Sequence, residues 1–319
     1  MDELTLRSAT LDDAAAISAL FRSKISVWQR MNADGRAEDV HYEALTLHER
    51  WLHGGAWMSL ETSALLLNHL LLGAGMPIVA FRRGKLTGYA EAYINSEPDP
   101  YGVHLHVAHM ITREEEDNET GDALLALIAE RARKLRCDKV TYNRITDPAL
   151  NTAAERRIAQ GAECVHLSSV RRYTVPARTG QIFYKTTEFT NADPMQISGW
   201  AMPVGRTTSS RHLWETAWTS IFSTLTQSKP QRIDRLRVSS GGTDAYVLCQ
   251  QDRYDPRAAD ICAWTPRLLT SQMVAALCDW SHRVGYRELR FVVGSESLKA
   301  LGTEAEADAY TQDTYALKG

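Results

Sequence analysis

The chain lacks a long apolar run. Its most apolar stretch, residues 64–72, is interrupted by Asn68 and His69. That is too short to span a bilayer and reads as a buried helix. The opening Met1-Asp2-Glu3-Leu4 has neither a basic n-region nor an apolar h-region, so no secretory leader is expected. An excess of one charge is also missing. Lys and Arg number 36 against 39 Asp and Glu, a net charge of −3, which gives no general basic footprint for nucleic acid. Cysteines are few, and none has C-x-x-C spacing. Cys137, Cys164, Cys249, Cys262 and Cys278 lie mostly in apolar runs. They read as reduced core residues of a cytoplasmic protein, not as a disulfide frame or a zinc site.

What is present is an ordinary globular balance. The 319 residues are 44% hydrophobic and 24% charged, enough for two domains that each bury a core. The pattern is clearest around His109-Met110-Ile111-Thr112 and the acidic run after it. Residues 101–111 are of strand type. Residues 122–135 place Leu124, Leu125, Leu127, Ile128, Ala132 and Leu135 on one helical face. Residues 139–143 form a short strand. Strand, loop, helix and strand make a βαβ unit, and the helix N-terminus offers N–H groups and a positive dipole to a phosphate. Gly121 and Ala123 leave the backbone accessible there.

Upstream, residues 4–7 alternate as a strand. Thr10-Leu11-Asp12-Asp13 starts a helix that continues through Ile25. Residues 26–58 are mixed and carry Trp28, Trp51 and Trp57, which are expected to pack. Residues 59–72 are a helix, and 77–81 and 86–93 form a hairpin about Arg82-Arg83-Gly84-Lys85. The next strand carries three histidines. By alternation His104 and His106 share one face, and His109 points with Leu105 and Val107. The first pair fits either a polar, solvent-facing edge or an acid–base role. A metal would need a third ligand, and none is evident, so no metal is expected.

Asn118-Glu119-Thr120-Gly121-Asp122-Ala123, with the element order over residues 4–175, resembles the GNAT superfamily of acyl-CoA N-acyltransferases. The family's pyrophosphate loop reads Arg/Gln-x-x-Gly-x-Gly/Ala, with Asn118 here at the first place. Five of the six residues 114–119 are acidic, and Arg113 is the nearby cation. In the family the helix after the next strand, here 147–161, ends in Gly-Phe and carries a Tyr that protonates the leaving thiolate. This chain has Gly161-Ala162 and Arg157 at those places, and Arg cannot act as an acid at neutral pH. After a polar crossover at 176–203, the second half repeats the order loosely. Trp264-Thr265-Pro266-Arg267 stands where the glycine motif would be, and Arg267, Leu268 and Leu269 are expected to fill the diphosphate space.

The resemblance implies an α/β fold of two GNAT-like domains, each a twisted mixed sheet flanked by helices. Residues 1–176 would bind acyl-CoA, and 177–319 would be a degenerate copy that covers a sheet edge or completes the acceptor pocket. The implied activity is N-acetyltransferase: transfer of an acetyl or other acyl group from coenzyme A (acetyl-CoA as cofactor) to a small-molecule amine. His109 is the expected general base. Met110, Ile111 and Thr112 would contact the thioester through their backbone. Asn118, Glu119, Thr120, Gly121, Asp122, Ala123 and Asn151 would complete the cofactor site. Neither a membrane nor nucleic acid is an expected partner, and the reading leaves room for a homodimer. Two alternatives stay open: a non-catalytic acyl-CoA-binding module, and a transferase that takes an aminoacyl-tRNA donor.

Overall fold

A computed structural model describes residues 3–113, 118–145, 164–190, 193–218, 232–252 and 255–317. The first strand, β1 (Leu4–Ser8), runs into a turn where the Asp13 carboxylate accepts the Thr10 N–H at 2.7 Å and pairs with Arg7 at 2.6 Å. That cap launches α1 (Ala14–Arg22), which stops short of Ile25. A small separate hairpin follows, β2 (Gln29–Met31) and β3 (Ala37–Asp39), then α2 (Leu47–Trp51), capped by Thr46, and α3 (Leu60–His69), capped by Ser59. Leu66, Leu67 and Leu70 are buried, whereas Leu71 and Leu72 beyond α3 are exposed, so only part of the apolar stretch enters the core.

The hairpin is β4 (Met76–Arg82) and β5 (Lys85–Ser96). After it come β6 (Val103–Thr112), α4 (Asn118–Lys134), β7 (Lys139–Ile145) and the long β8 (Cys164–Pro176). The expected helix at 147–161, with Asn151, Arg157 and Gly161, lies outside the described residues, as do Glu114 to Asp117. The supposed polar crossover holds two further strands, β9 (Tyr184–Glu188) and β10 (Ala201–Val204). Both are short, and Pro203 inside β10 masks it as a turn in sequence. The remainder is α5 (Ser210–Trp218), β11 (Ile233–Ser240), β12 (Thr243–Gln251), β13 (Ala258–Thr265), α6 (Ser271–Arg283), β14 (Glu288–Gly294), α7 (Ser295–Leu301) and β15 (Glu306–Leu317).

Among the described residues, thirteen strands form one sheet in the order β1-β4-β5-β6-β7-β15-β8-β14-β10-β13-β12-β11-β9. The run β1-β4-β5-β6 is mirrored by β9-β11-β12-β13, so the two halves follow one plan. They also exchange strands. β15 lies antiparallel between β7 and β8, and β8 reaches on to pair with β14. In the first half, α1 and α3 cover one face with Ile17, Leu67, Tyr89 and Trp57, where Trp57 stacks on Phe21 at 5.5 Å. α4 covers the other face, where Leu124, Ile128 and Ala132 meet Leu105, Val107 and Met110.

Candidate active site

The sheet opens inside the first half. β6 and β7 run parallel and pair from His104 with Lys139 to Val107 with Tyr142, and the ladder ends there. Beyond that point β7 is held on its other side, where Asn143, Arg144 and Ile145 pair with Thr314, Asp313 and Gln312 of β15. The divergence leaves a cavity of about 180 Å³. His109, Asn143 and Ile145 line it from the strands. Thr208 and His212 line it from the second half, and Gln312 from β15. The Asn143 Oδ1 accepts from the Thr314 hydroxyl at 2.9 Å, while its Nδ2 is buried with no hydrogen-bond partner among the described residues.

A bulge decides which side chains face this site. In the β5–β6 ladder Ala92 pairs with Val107 and Glu91 with His109, so Ala108 is an extra residue on β6. The alternation shifts by one there. His109 therefore lies on the same face as His104 and His106, opposite Glu91, and not with Leu105 and Val107 as simple alternation suggests. That face is not solvated either. His104 and His106 are 1% and 2% exposed, because the second half packs over them. The His106 Nδ1 is 3.0 Å from the Thr141 hydroxyl, and its Nε2 is 3.4 Å from the Thr208 hydroxyl. His104 bonds the Gly102 carbonyl at 3.1 Å and approaches Glu97, itself paired with the buried Arg206. Burial holds both histidines below their ordinary pKa, His106 well below.

Sequence reasoning did not single out Glu91, which is wholly buried. The phenol of Tyr89 donates to one of its oxygens at 3.0 Å and that of Tyr93 to the other at 2.5 Å. Burial, then the Glu91 charge, raises both phenols well above their usual value. The available signal was Tyr89-Ala90-Glu91-Ala92-Tyr93, three polar-tipped residues at a spacing of two on a strand. His212 has no such signal, because only α5 carries it there. Its Nδ1 is 3.9 Å from Glu91, and its ring lies 4.7 Å from Tyr93 and 5.7 Å from His109. Burial pushes the His212 pKa down to about 4, so the ring is neutral at pH 7.

After β6, α4 starts earlier than the pattern suggests. All six residues from Asn118 to Ala123 are helical, so the leading N–H groups belong to Asn118 and Glu119, while Gly121 and Ala123 lie about a turn in. The helix comes close because Gly88 has no side chain: a Cβ there would stand 2.6 Å from the Thr120 methyl. Among the described residues, a Cβ at the buried Gly121 would meet nothing within 4 Å. Glu119 points outward to Arg82 at 2.8 Å, Asp122 is exposed, and Arg113 is anchored through its Nε on the Leu86 carbonyl at 3.0 Å. The Arg113 N–H bonds the Thr87 carbonyl at 2.7 Å. By alternation the backbone N–H groups of Met110 and Thr112 face the cleft side, while that of Ile111 faces β5.

The second half has the same opening, and the chain itself fills it. β13 and β14 pair in parallel from Ala258 with Glu288 to Ile261 with Phe291. Past that point β10 enters between them, with Val204 paired to Ala263 on one side and Val293 on the other. The Gly205 N–H then bonds the Val292 carbonyl at 2.7 Å. This corrects the expectation for Arg267 and Leu268. Both are exposed, α6 begins only at Ser271, and strand β10 is what closes this cleft. The same segment continues through Thr208 to His212 and lines the first cleft.

No family model matches the chain, and no curated protein matches it in sequence. Solved structures match it in fold. A GCN5-related N-acetyltransferase from Anabaena variabilis aligns over 99% of this chain and 72% of its own, with TM-score 0.61 and 11% identity. A conserved Enterococcus faecalis protein of unknown function, described as a probable N-acyltransferase, aligns over 98% and 72%, with TM-score 0.56 and 14% identity. A GCN5-related N-acetyltransferase from Kribbella flavida aligns over 99% and 71%, with TM-score 0.53 and 11% identity. The fold is thus the α/β fold of the GNAT acetyltransferases, and at such identities the likeness is one of fold.

Proposed function

We propose that the chain is an acyl-CoA-dependent N-acyltransferase that moves an acetyl or other acyl group to a primary amine. The donor site would lie in the first half, residues 1–176, between β6 and β7. The observation that carries this is the contrast between two equivalent gaps. Among the described residues the first holds a cavity with His109 at its wall, and the second is filled by β10.

The residues present fit coenzyme A. Gly121, with no side chain, and the N–H groups at the start of α4 suit a diphosphate, and the exposed Glu119 is turned toward Arg82. The Met110 and Thr112 backbone along the cleft suits the thioester arm. The buried Asn143 amide adds a donor with no other partner among the described residues. When bound, the donor supplies an activated acyl thioester. His109 accepts the proton of the attacking amine, and Thr208 and His212 from residues 177–319 close the acceptor side. The five cysteines are free thiols, which suits a reducing, cytoplasmic setting. No helix among the described residues is long and apolar enough to cross a membrane.

The test is a titration of the whole chain with coenzyme A, followed by release of free thiol from acetyl-CoA over a panel of amines. One bound coenzyme A per chain and amine-dependent thiol release are expected. Binding without release under every amine would leave a binding module in place of a transferase. No binding at all would remove the proposal.

A further inference from the structure

We propose that Glu91, His109 and His212 form a binding site for one divalent transition-metal ion of the zinc class, at the wall of the first-half cavity. Each residue offers one ligand atom, and the three atoms lie within 4.8 Å of one another. They come from three elements, β5, β6 beyond its bulge, and α5 of the second half, so only the assembled fold brings them together. Two imidazole nitrogens and one carboxylate are a donor set for zinc, cobalt(II) or iron(II). Calcium and magnesium prefer all-oxygen sites.

Three observations point to a missing cation. Glu91 is wholly buried, and its ion-pair neighbour among the described residues is His212 alone, at 3.9 Å. A buried carboxylate is costly without a positive partner. Second, both carboxylate oxygens are already oriented by phenols, Tyr89 at 3.0 Å and Tyr93 at 2.5 Å. Each oxygen keeps a lone pair, and such outer bonds are what fix the ligands of metal sites. Third, the His212 Nδ1 is buried and has no hydrogen-bond partner among the described residues, although it points at Glu91.

A primary ammonium is the rival occupant. Two ligands on a tetrahedral ion, each ~2.0–2.1 Å from it, stand ~3.4 Å apart. Three acceptors around a primary ammonium, at ~2.8 Å each, would stand ~4.6 Å apart. The observed 3.9 Å between His212 and Glu91 lies between the two values, and the three atoms spread over as much as 4.8 Å, so it is the donor set of two imidazole nitrogens and a carboxylate that favours the metal. His109 and His212 both line the cavity, so a fourth ligand would come from that side. A bound ion would take the His109 lone pair that an amine proton needs. This consequence rests on the acyltransferase reading, whereas metal binding itself does not. The ion would therefore block the amine reaction and leave coenzyme A binding in place.

The metal-stripped full chain would be titrated with Zn²⁺ by calorimetry, with Co²⁺ absorption as a second readout. One ion per chain is expected, with intense tetrahedral Co²⁺ bands. Glu91→Gln and His212→Gln should each weaken Zn²⁺ binding by about 100-fold or more, and Tyr93→Phe by about tenfold, as loss of an outer bond does. His104→Gln should leave the affinity unchanged. Circular dichroism and coenzyme A titration on the same samples separate misfolding, and failure of the acyltransferase reading, from loss of the metal site. The proposal is overturned by folded protein that does not saturate with Zn²⁺, or by equal affinity in the Glu91→Gln and His212→Gln proteins. Methylammonium binding that needs Glu91, in a protein indifferent to Zn²⁺, would overturn it in favour of an amine seat.

Discussion

His109 stands directly across the β5–β6 ladder from Glu91, because Ala108 bulges out of β6. One extra residue turns the imidazole from the Met110 core to the cavity wall. His109→Ala should lower kcat for amine acylation by roughly 10²-fold or more, the usual cost of losing a general base. His104→Ala should cost far less turnover, since its ring bonds the Gly102 carbonyl and faces Glu97 away from the cavity. Steady-state kinetics on both variants decides. Equal, small effects would remove His109 from the chemistry.

Gly121→Glu places bulk and negative charge at the proposed diphosphate seat on α4. Since an added Cβ there meets nothing within 4 Å among the described residues, the fold should tolerate it. Affinity for coenzyme A should fall at least tenfold, about 1.4 kcal/mol, with the melting temperature of the ligand-free protein nearly unchanged. Titration calorimetry with a thermal melt checks both. Unchanged affinity would put the diphosphate elsewhere, and two molecules of coenzyme A per chain would mean that β10 does not close the second cleft.

Gly205 ends the strand that closes that cleft. Its φ is +83°, and a Cβ would lie 2.5 Å from the Cys262 sulfur and 2.7 Å from the Ile261 carbonyl oxygen. Gly205→Ala should destabilise the chain by about 3 kcal/mol through strain and overlap. It should also disturb Thr208 and His212 downstream, raising KM for the amine more than the Kd for coenzyme A. Urea unfolding and a comparison of the two constants test this. A neutral melt would show that β10 can move freely.

His106 should make the protein acid-sensitive. Burial, then the nearby His104 and Arg206, holds its pKa well below 6.5. Between 6.5 and that lower value the unfolded chain binds a proton that the native chain does not. Stability is therefore full above the ordinary histidine pKa and falls as pH drops through the window. In urea melts at pH 7.5 and pH 5, His106→Gln should lose less stability on acidification than the parent. Identical losses would assign the proton to another group.

Most elements were legible in the chain because local chemistry encodes them. The Thr10–Asp13 cap, the hairpin at Arg82 to Lys85, the leucine face of α4 and the alternating strands all depend on neighbours a few residues away. The α/β class and the doubled plan followed from their order. What only the tertiary structure decided was pairing between distant segments. The Ala108 bulge depends on register against β5, the closing of the second cleft depends on where β10 inserts, and β15 finds its place between β7 and β8 from the far end of the chain. Glu91, His109 and His212 meet for the same reason. A side-chain period of two assigns a face only while register is unbroken, and no local pattern reports which strand a four-residue segment such as Ala201–Val204 will choose.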